Sequence, residues 1–128
     1  YDGGILIIDY GYTNKKIKNT LQAISHHKYS NVLDFFGKSD ISYNINFSLI
    51  DRIIIKLGFF CSLITNQKEF LTRLGIIQRA EILSKNMPFS KKADIYFRLK
   101  RLIDKSQMGN LFKVMLIKNK KNKFKLGF

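Results

Sequence analysis

An unbroken aliphatic run, residues 5 to 8, stands near the start of the chain within GGILIIDYGY. Polar and apolar residues do not alternate there, so the strand it predicts should be buried on both faces. That is the pattern of a central strand in a parallel sheet covered by helices. The turn Asp9-Tyr10-Gly11-Tyr12 then falls at the strand's carboxyl end, where ligands sit in open α/β sheets. Residues 13 to 45 show weak periodicity and many turn formers. They predict an irregular excursion with a short helix over residues 31 to 36, ended by Gly37. A long excursion after a strand's carboxyl end is more often functional than a short loop.

Clearer periods follow. Residues 47 to 57 predict a helix capped by Asn46 or Ser48 and closed by Gly58, with Phe47, Ile50, Ile54 and Leu57 on one face. FFCSLI, residues 59 to 64, reads as a short strand. A helix starts near Asn66 with Phe70, Leu71, Leu74 and Ile77 inward; Gly75 breaks or kinks it, and Met87-Pro88 ends it. Ser90 is the expected cap of a further helix that turns Ile95, Leu99 and Leu102 inward. Gly109 leads into a final strand over residues 111 to 118. The two late strands lie beside the first, the last inserting antiparallel between the others. This is too little sheet to bury a central strand. On its own the chain would leave one edge and an apolar face of residues 5 to 8 open.

Composition narrows the class. The chain has 128 residues, 45% of them hydrophobic, which is globular composition for one domain. The longest apolar stretch, IIIKLGFFCSLI, contains Lys56 and Gly58 and falls short of the about 20 residues a membrane span needs. A single cysteine, Cys61, makes no internal disulfide. The expected location is therefore cytoplasmic. The formal net charge is +14. Its lysines are spread along the chain among many Ile, Asn and Phe, a mix that reads as solvated charge and argues against nucleic acid as the main ligand. The densest run, residues 118 to 128, reads as a solvated basic tail after a domain of residues 1 to 117.

Five segments in chain order carry a resemblance: GGILIIDYGY, TLQAISHHKY, GKSDISYNINF, TNQKEFLTRLGIIQRAEIL and MGNLFKVML. Together they resemble the C-terminal part of the MidA-like class I SAM-dependent methyltransferases, whose members include an arginine methyltransferase of mitochondrial complex I assembly. The resemblance implies an α/β fold: the C-terminal portion of a Rossmann-like class I methyltransferase sheet, strands five to seven with their intervening helices. It implies S-adenosyl-L-methionine as cofactor, held by a glycine-rich turn and an acid in the N-terminal half of such enzymes. No GxG occurs in this sequence. The implied partner is that N-terminal half, with a protein as substrate. Three positions depart from the family pattern: Asn44 stands for a histidine, Asn46 for an acid, and Ser25 for a basic residue.

Methyl transfer demands alignment of donor and acceptor more than strong acids or bases. An arginine acceptor would need carboxylates, because a guanidinium forks onto them in bidentate pairs. Asp9 is the leading carboxylate, with shaping of its own turn as the alternative role. Tyr10 and Tyr12 are candidates for an acceptor channel, against simple packing. His27 matches the family histidine and could act as a base; a loop histidine is more commonly structural. Asp40 and Asn44 are candidate substrate contacts, and Asp40 equally a turn cap. Gln67 reads as a helix-start residue bonding locally, Phe70 as core, and Lys113 as a solvated strand lysine. His26, His27 and Cys61 lack the ligand number for structural zinc, so no metal is expected. Two rival readings are an inactive remnant of a split gene and a small basic, non-catalytic binding module.

Overall fold

The structure, a computed structural model, describes residues 3–61 and 64–128. The aliphatic run lies in strand β1 (Gly4–Tyr12). Beside it runs β8 (Phe112–Lys118), antiparallel and in register from Gly4 opposite Lys118 to Tyr10 opposite Phe112. On its other edge β1 meets β5 (Ile45–Asn46), parallel, at Gly11 and Tyr12. The far side of β8 carries β6 (Phe60–Cys61) and β7 (Thr65–Asn66), both antiparallel to it. The sheet order is β5-β1-β8-β6, with β7 also on β8. The last strand thus inserts antiparallel between the others, as the pattern predicts.

The burial expected of residues 5 to 8 is not met within the chain. Ile5, Leu6 and Ile8 are 62%, 48% and 46% exposed. The physical reason is the open edge: among the described residues no strand pairs with residues 4 to 10 of β1 on the side away from β8. The core lies instead under β8. Phe47, Ile54 and Met115 form its centre, with Ile7, Ile45, Ile50, Ile64 and Ile117 packed around them.

Helix α1 (Phe47–Lys56) supplies three of these side chains, Phe47, Ile50 and Ile54. Asn46 caps it, its Oδ1 accepting the Leu49 N–H at 3.2 Å. Ser48, the other expected cap, sits in the first turn and donates instead to the Thr13 carbonyl at 2.6 Å. Gly58, at φ 81°, ends the helix in the left-handed region. Leu57 is the C-cap residue and lies exposed rather than on the inner face.

The excursion contains no helix over residues 31 to 36. It holds a separate antiparallel sheet, β3-β2-β4, built from β2 (Gln22–Ser25), β3 (Lys28–Ser30) and β4 (Asp40–Ser42). Residues 31 to 39 form turns. The Asn31 carbonyl accepts the Asp34 N–H at 3.0 Å, and Phe35 takes a φ of 53°, which a continuing helix cannot accommodate.

The helix expected from Asn66 is two helices. α2 (Gln67–Arg73) and α3 (Ile76–Ser84) are separated by Gly75 at φ 81°. Asn66 caps α2 through the Glu69 N–H at 2.8 Å. Gln67 reaches far beyond its own turn: its Nε2 donates to the Leu102 carbonyl at 2.9 Å. That carbonyl belongs to α4 (Phe89–Ile103), whose N-cap is Pro88. Ser90 therefore lies inside the first turn, because the helix already starts at Phe89 after Pro88, whose ring holds φ near −59°. A short helix α5 (Met108–Leu111) then feeds β8. At Gly109 a Cβ would fall 2.5 Å from the Ile103 carbonyl oxygen, so the chain passes the end of α4 too closely for a side chain.

Residues 118 to 128 are not solvated along their length. Lys118 is buried and its Nζ donates to the Phe124 carbonyl. Gly127 is buried against the Phe70 ring, and the Phe128 ring lies 5.2 Å from that of Phe70.

Candidate functional site

The carboxyl end of β1 gathers part of the predicted set. Asp9, half-buried, accepts the Tyr10 N–H on Oδ1 at 2.7 Å, so it shapes its own turn. Tyr10 packs its ring 4.2 Å from that of Phe112 on the neighbouring strand. Gly11 is where β1 and β5 close on each other: a Cβ there would lie 2.4 Å from the Phe47 ring and 2.6 Å from the Ile45 carbonyl oxygen. The glycine in this turn thus serves strand packing.

Tyr12 is a junction. Its hydroxyl accepts the Lys18 N–H at 3.0 Å, and the Lys18 ammonium stands 5.5 Å from its ring centroid. The neighbouring Tyr12 hydroxyl is the main reason the Tyr43 phenol titrates above its usual range. Asn46 faces Tyr12 in the β1–β5 register. Asn44 is held by its backbone, its N–H donating to the Thr20 Oγ1 at 3.0 Å. Tyr12, Tyr43, Thr20 and Asn44 therefore tie both ends of the excursion to the carboxyl end of β1.

His27 and Asp40 sit on the small sheet. Ser25 pairs with Lys28, leaving His26 and His27 as the two residues of a hairpin turn, at φ 51° and 62°. Positive φ at both central positions is the geometry of a type I′ hairpin. Both histidines are exposed. Asp40 pairs with Ile24 on the opposite edge of β2 and is also exposed. Among the described residues no hydrogen bond or ion pair joins His27 or Asp40 to Asp9. The structure thus brings Asp9, Tyr10, Tyr12 and Asn44 to one strand end, and sets His27 and Asp40 on the sheet tethered to it.

Two residues matter more here than their sequence reading allows. Lys113 lies opposite both Asp9 and Asn66 in the sheet register, so these three share one face at the carboxyl end of β1. It is half-buried, and its Nζ donates to the Asn110 carbonyl. Desolvation lowers its pKa, partly offset by the negative charge of Glu69. The signal was a cation near the start of an otherwise apolar run, Phe112 to Ile117. Tyr43 has no such signal, because a tyrosine pair made across 31 residues is invisible to periodicity. Among the described residues no group of three His, Cys, Asp or Glu side chains is placed to hold a metal. Among them no helix is long and apolar enough to cross a membrane.

The chain has a mixed α/β fold that solved structures share. A crystal structure of an uncharacterised protein from Burkholderia thailandensis superposes with a TM-score of 0.82 at 23% identity, covering 98% of this chain and 35% of that one. A second structure from that organism, of a superfamily member bound to S-adenosyl-homocysteine, gives 0.81 at 23% identity, covering 98% of this chain and 34% of that one. The family model described as "Putative S-adenosyl-L-methionine-dependent methyltransferase" matches residues 1–64. The chain is 29% identical over 123 residues to the mitochondrial protein arginine methyltransferase NDUFAF7 of Danio rerio, covering 92% of this chain and 28% of that protein. With the Xenopus tropicalis protein of the same name it shares 29% over 114 residues, or 88% and 26%. The chain belongs to the MidA-like family of SAM-dependent methyltransferases. It spans about a quarter of the length of these curated relatives.

Proposed function

We propose that this chain forms the acceptor side of a SAM-dependent protein arginine methyltransferase, as strands five to seven of a Rossmann-like sheet. In this reading a complementary polypeptide, equivalent to the remainder of the relatives' length, holds S-adenosyl-L-methionine. The observation that carries the reading is the open edge of β1, where Ile5, Leu6 and Ile8 are left exposed beside a β8 that has partners on both edges. An aliphatic run of this kind gains most of its stabilisation when both faces are covered. Asp9 would take a guanidinium, with Tyr10 and Tyr12 lining its approach and Asn44, Asp40 and His27 on the excursion side. The role of the departures at Asn44 and Asn46 belongs to the same reading. The proposed location is the cytoplasm, on sequence grounds; both vertebrate relatives are named as mitochondrial.

Calorimetric titration of S-adenosyl-L-methionine tests the proposal, first into this chain and then with the complementary portion of the enzyme supplied in trans. Binding only in the second titration is the expected result. Tight stoichiometric binding by the chain alone would show that it carries its own cofactor site. No binding in either titration would favour the remnant reading over the enzyme.

A further inference from the structure

We propose that the groove between Phe60 and the loop of residues 118 to 125 is a binding site for single-stranded nucleic acid. The groove has a volume of about 690 Å³ and is lined by Phe60, Lys118, Lys120, Asn122, Lys123 and Lys125. Four of those six side chains are cations and none is an acid. Composition alone makes these lysines part of a diffuse, solvated charge; the fold gathers them around one opening.

The loop is built rather than trailing. The Asn119 Oδ1 accepts the N–H groups of Lys121 and Asn122 at 2.8 and 3.0 Å. The Asn122 Oδ1 accepts the Phe124 N–H at 2.9 Å. Lys118 closes the loop by donating to the Phe124 carbonyl, and Phe128 anchors the far end on Phe70. These bonds fix the backbone from which Lys120, Lys123 and Lys125 project. The floor is aromatic: Phe60 is half-exposed, and the Lys118 ammonium stands 6.0 Å from its ring centroid. A second hollow of about 350 Å³ shares Lys118 and is lined by Phe59, itself half-exposed.

Cations beside half-exposed aromatic rings match the chemistry of a single strand. Lysines take the phosphates, and the rings take bases that are free to unstack. A duplex offers the same phosphates but no free base face. The groove also lies away from the candidate methyl-acceptor site. Gly4 and Phe60 flank Lys118 in the sheet, while Asp9 flanks Lys113, five residues along the strand. At about 3.3 Å per residue the two ends are separated by roughly 17 Å.

Fluorescence anisotropy of a labelled oligouridylate of about 12 nucleotides, titrated with the full chain, tests the site. If three lysines neutralise three phosphates, affinity should fall roughly 20-fold between about 50 and 200 mM salt. Changing Lys120, Lys123 and Lys125 together to glutamine should lower affinity at least about tenfold at low salt and flatten that dependence. Phe60→Leu should lose about tenfold with the salt slope unchanged, the signature of lost stacking. A control pair, Lys15→Gln with Lys16→Gln in the excursion, should bind as the parent does. Circular dichroism of each variant confirms that the fold is retained. Absence of binding at the lowest salt overturns the proposal. So does an equal loss in the control pair, which would make the charge diffuse. Equal affinity for a duplex together with an indifferent Phe60→Leu would also overturn it.

Discussion

Strands β1 and β8 lie side by side, hydrogen-bonded along seven residue pairs, and both carry aliphatic runs. Their burial is opposite. Val114 and Met115 of β8 are fully buried and Leu116 nearly so, whereas Ile5, Leu6 and Ile8 of β1 are each about half exposed or more than that, at 62%, 48% and 46%. Hydrophobicity does not separate them; neighbours do. β8 has β1 on one edge and β6 and β7 on the other, while β1 has β5 only at its last two residues. A sequence pattern states how much burial a strand requires, and the surrounding strands decide whether it is met.

The largest test of this contrast is a pair of truncations. Met115→Ala removes a side chain with no exposed surface from the core formed with Phe47 and Ile54. It should cost about 2–5 kcal/mol in urea denaturation, the range for large-to-small changes in a packed core. Ile8→Ala in the same chain should cost less than about 1 kcal/mol, because the residue already meets solvent. Similar losses at the two positions would break the comparison. A cost at Ile8 that rises when the proposed complementary polypeptide is added would sharpen it, by showing the open face covered.

The next test falls where the edge of β1 does close. Gly11→Ala places a methyl group against the Phe47 ring and the Ile45 carbonyl, and the carbonyl is backbone that cannot rotate away. Overpacking of this kind should cost about 1–3 kcal/mol. It should also loosen β5, which would appear as faster amide exchange at Asn46. An unchanged midpoint and unchanged exchange would mean that the β1–β5 contact adds nothing to the strand's stability.

Asn46 gives a smaller effect with a direction of its own. Its Oδ1 caps α1, but its buried Nδ2 has no partner. Asn46→Ala should cost about 1 kcal/mol through the lost cap. Asn46→Asp keeps the cap but sets a charged oxygen in the buried, unpartnered Nδ2 position. Above pH 5 it should melt below the parent in thermal denaturation, because burial of that oxygen outweighs the gain of about 0.3–1 kcal/mol from a negative charge at a helix start.

Much of the main sheet was legible because long aliphatic runs and capping residues act locally. The segments at Phe47, Asn66 and Phe112 announce their own starts. The excursion was not legible, because its strands are two to four residues long and are fixed by turns rather than by period. Phe35 adopts a positive φ that its residue type disfavours, so no local rule points to it. The candidate site divided in the same way. Asp9, Tyr10 and Tyr12 could be placed because they end a clear strand. Tyr43 and the reach of Gln67 to Leu102 depend on partners distant in sequence. The folded course of residues 118 to 128 depends on Phe70, an anchor no basic run reveals.

The smallest effect concerns what shields the outer edge of β8. Thr65 of β7 pairs with Val114, and its hydroxyl donates to Glu69 at 2.7 Å, linking that edge strand to α2. The Thr65 hydroxyl is the leading reason the Glu69 carboxyl titrates below its ordinary value of 4.5, with Asn66 and the charges of Arg73 and Lys105 adding to it against a desolvation penalty. A carboxylate with a depressed folded pKa stabilises the fold above its unfolded pKa. That contribution is lost as pH falls through the folded value. The loss should therefore develop below about pH 4.5, and because Glu69 is exposed it should be slight. Thr65→Val should move the Glu69 titration, followed by carboxyl NMR, back up toward 4.5. It should leave the paired amides of Val114 and Met115 protected, since β6 and β1 still hold β8. Loss of protection at Val114 would instead show that the link from β7 to α2 is what keeps β8 covered.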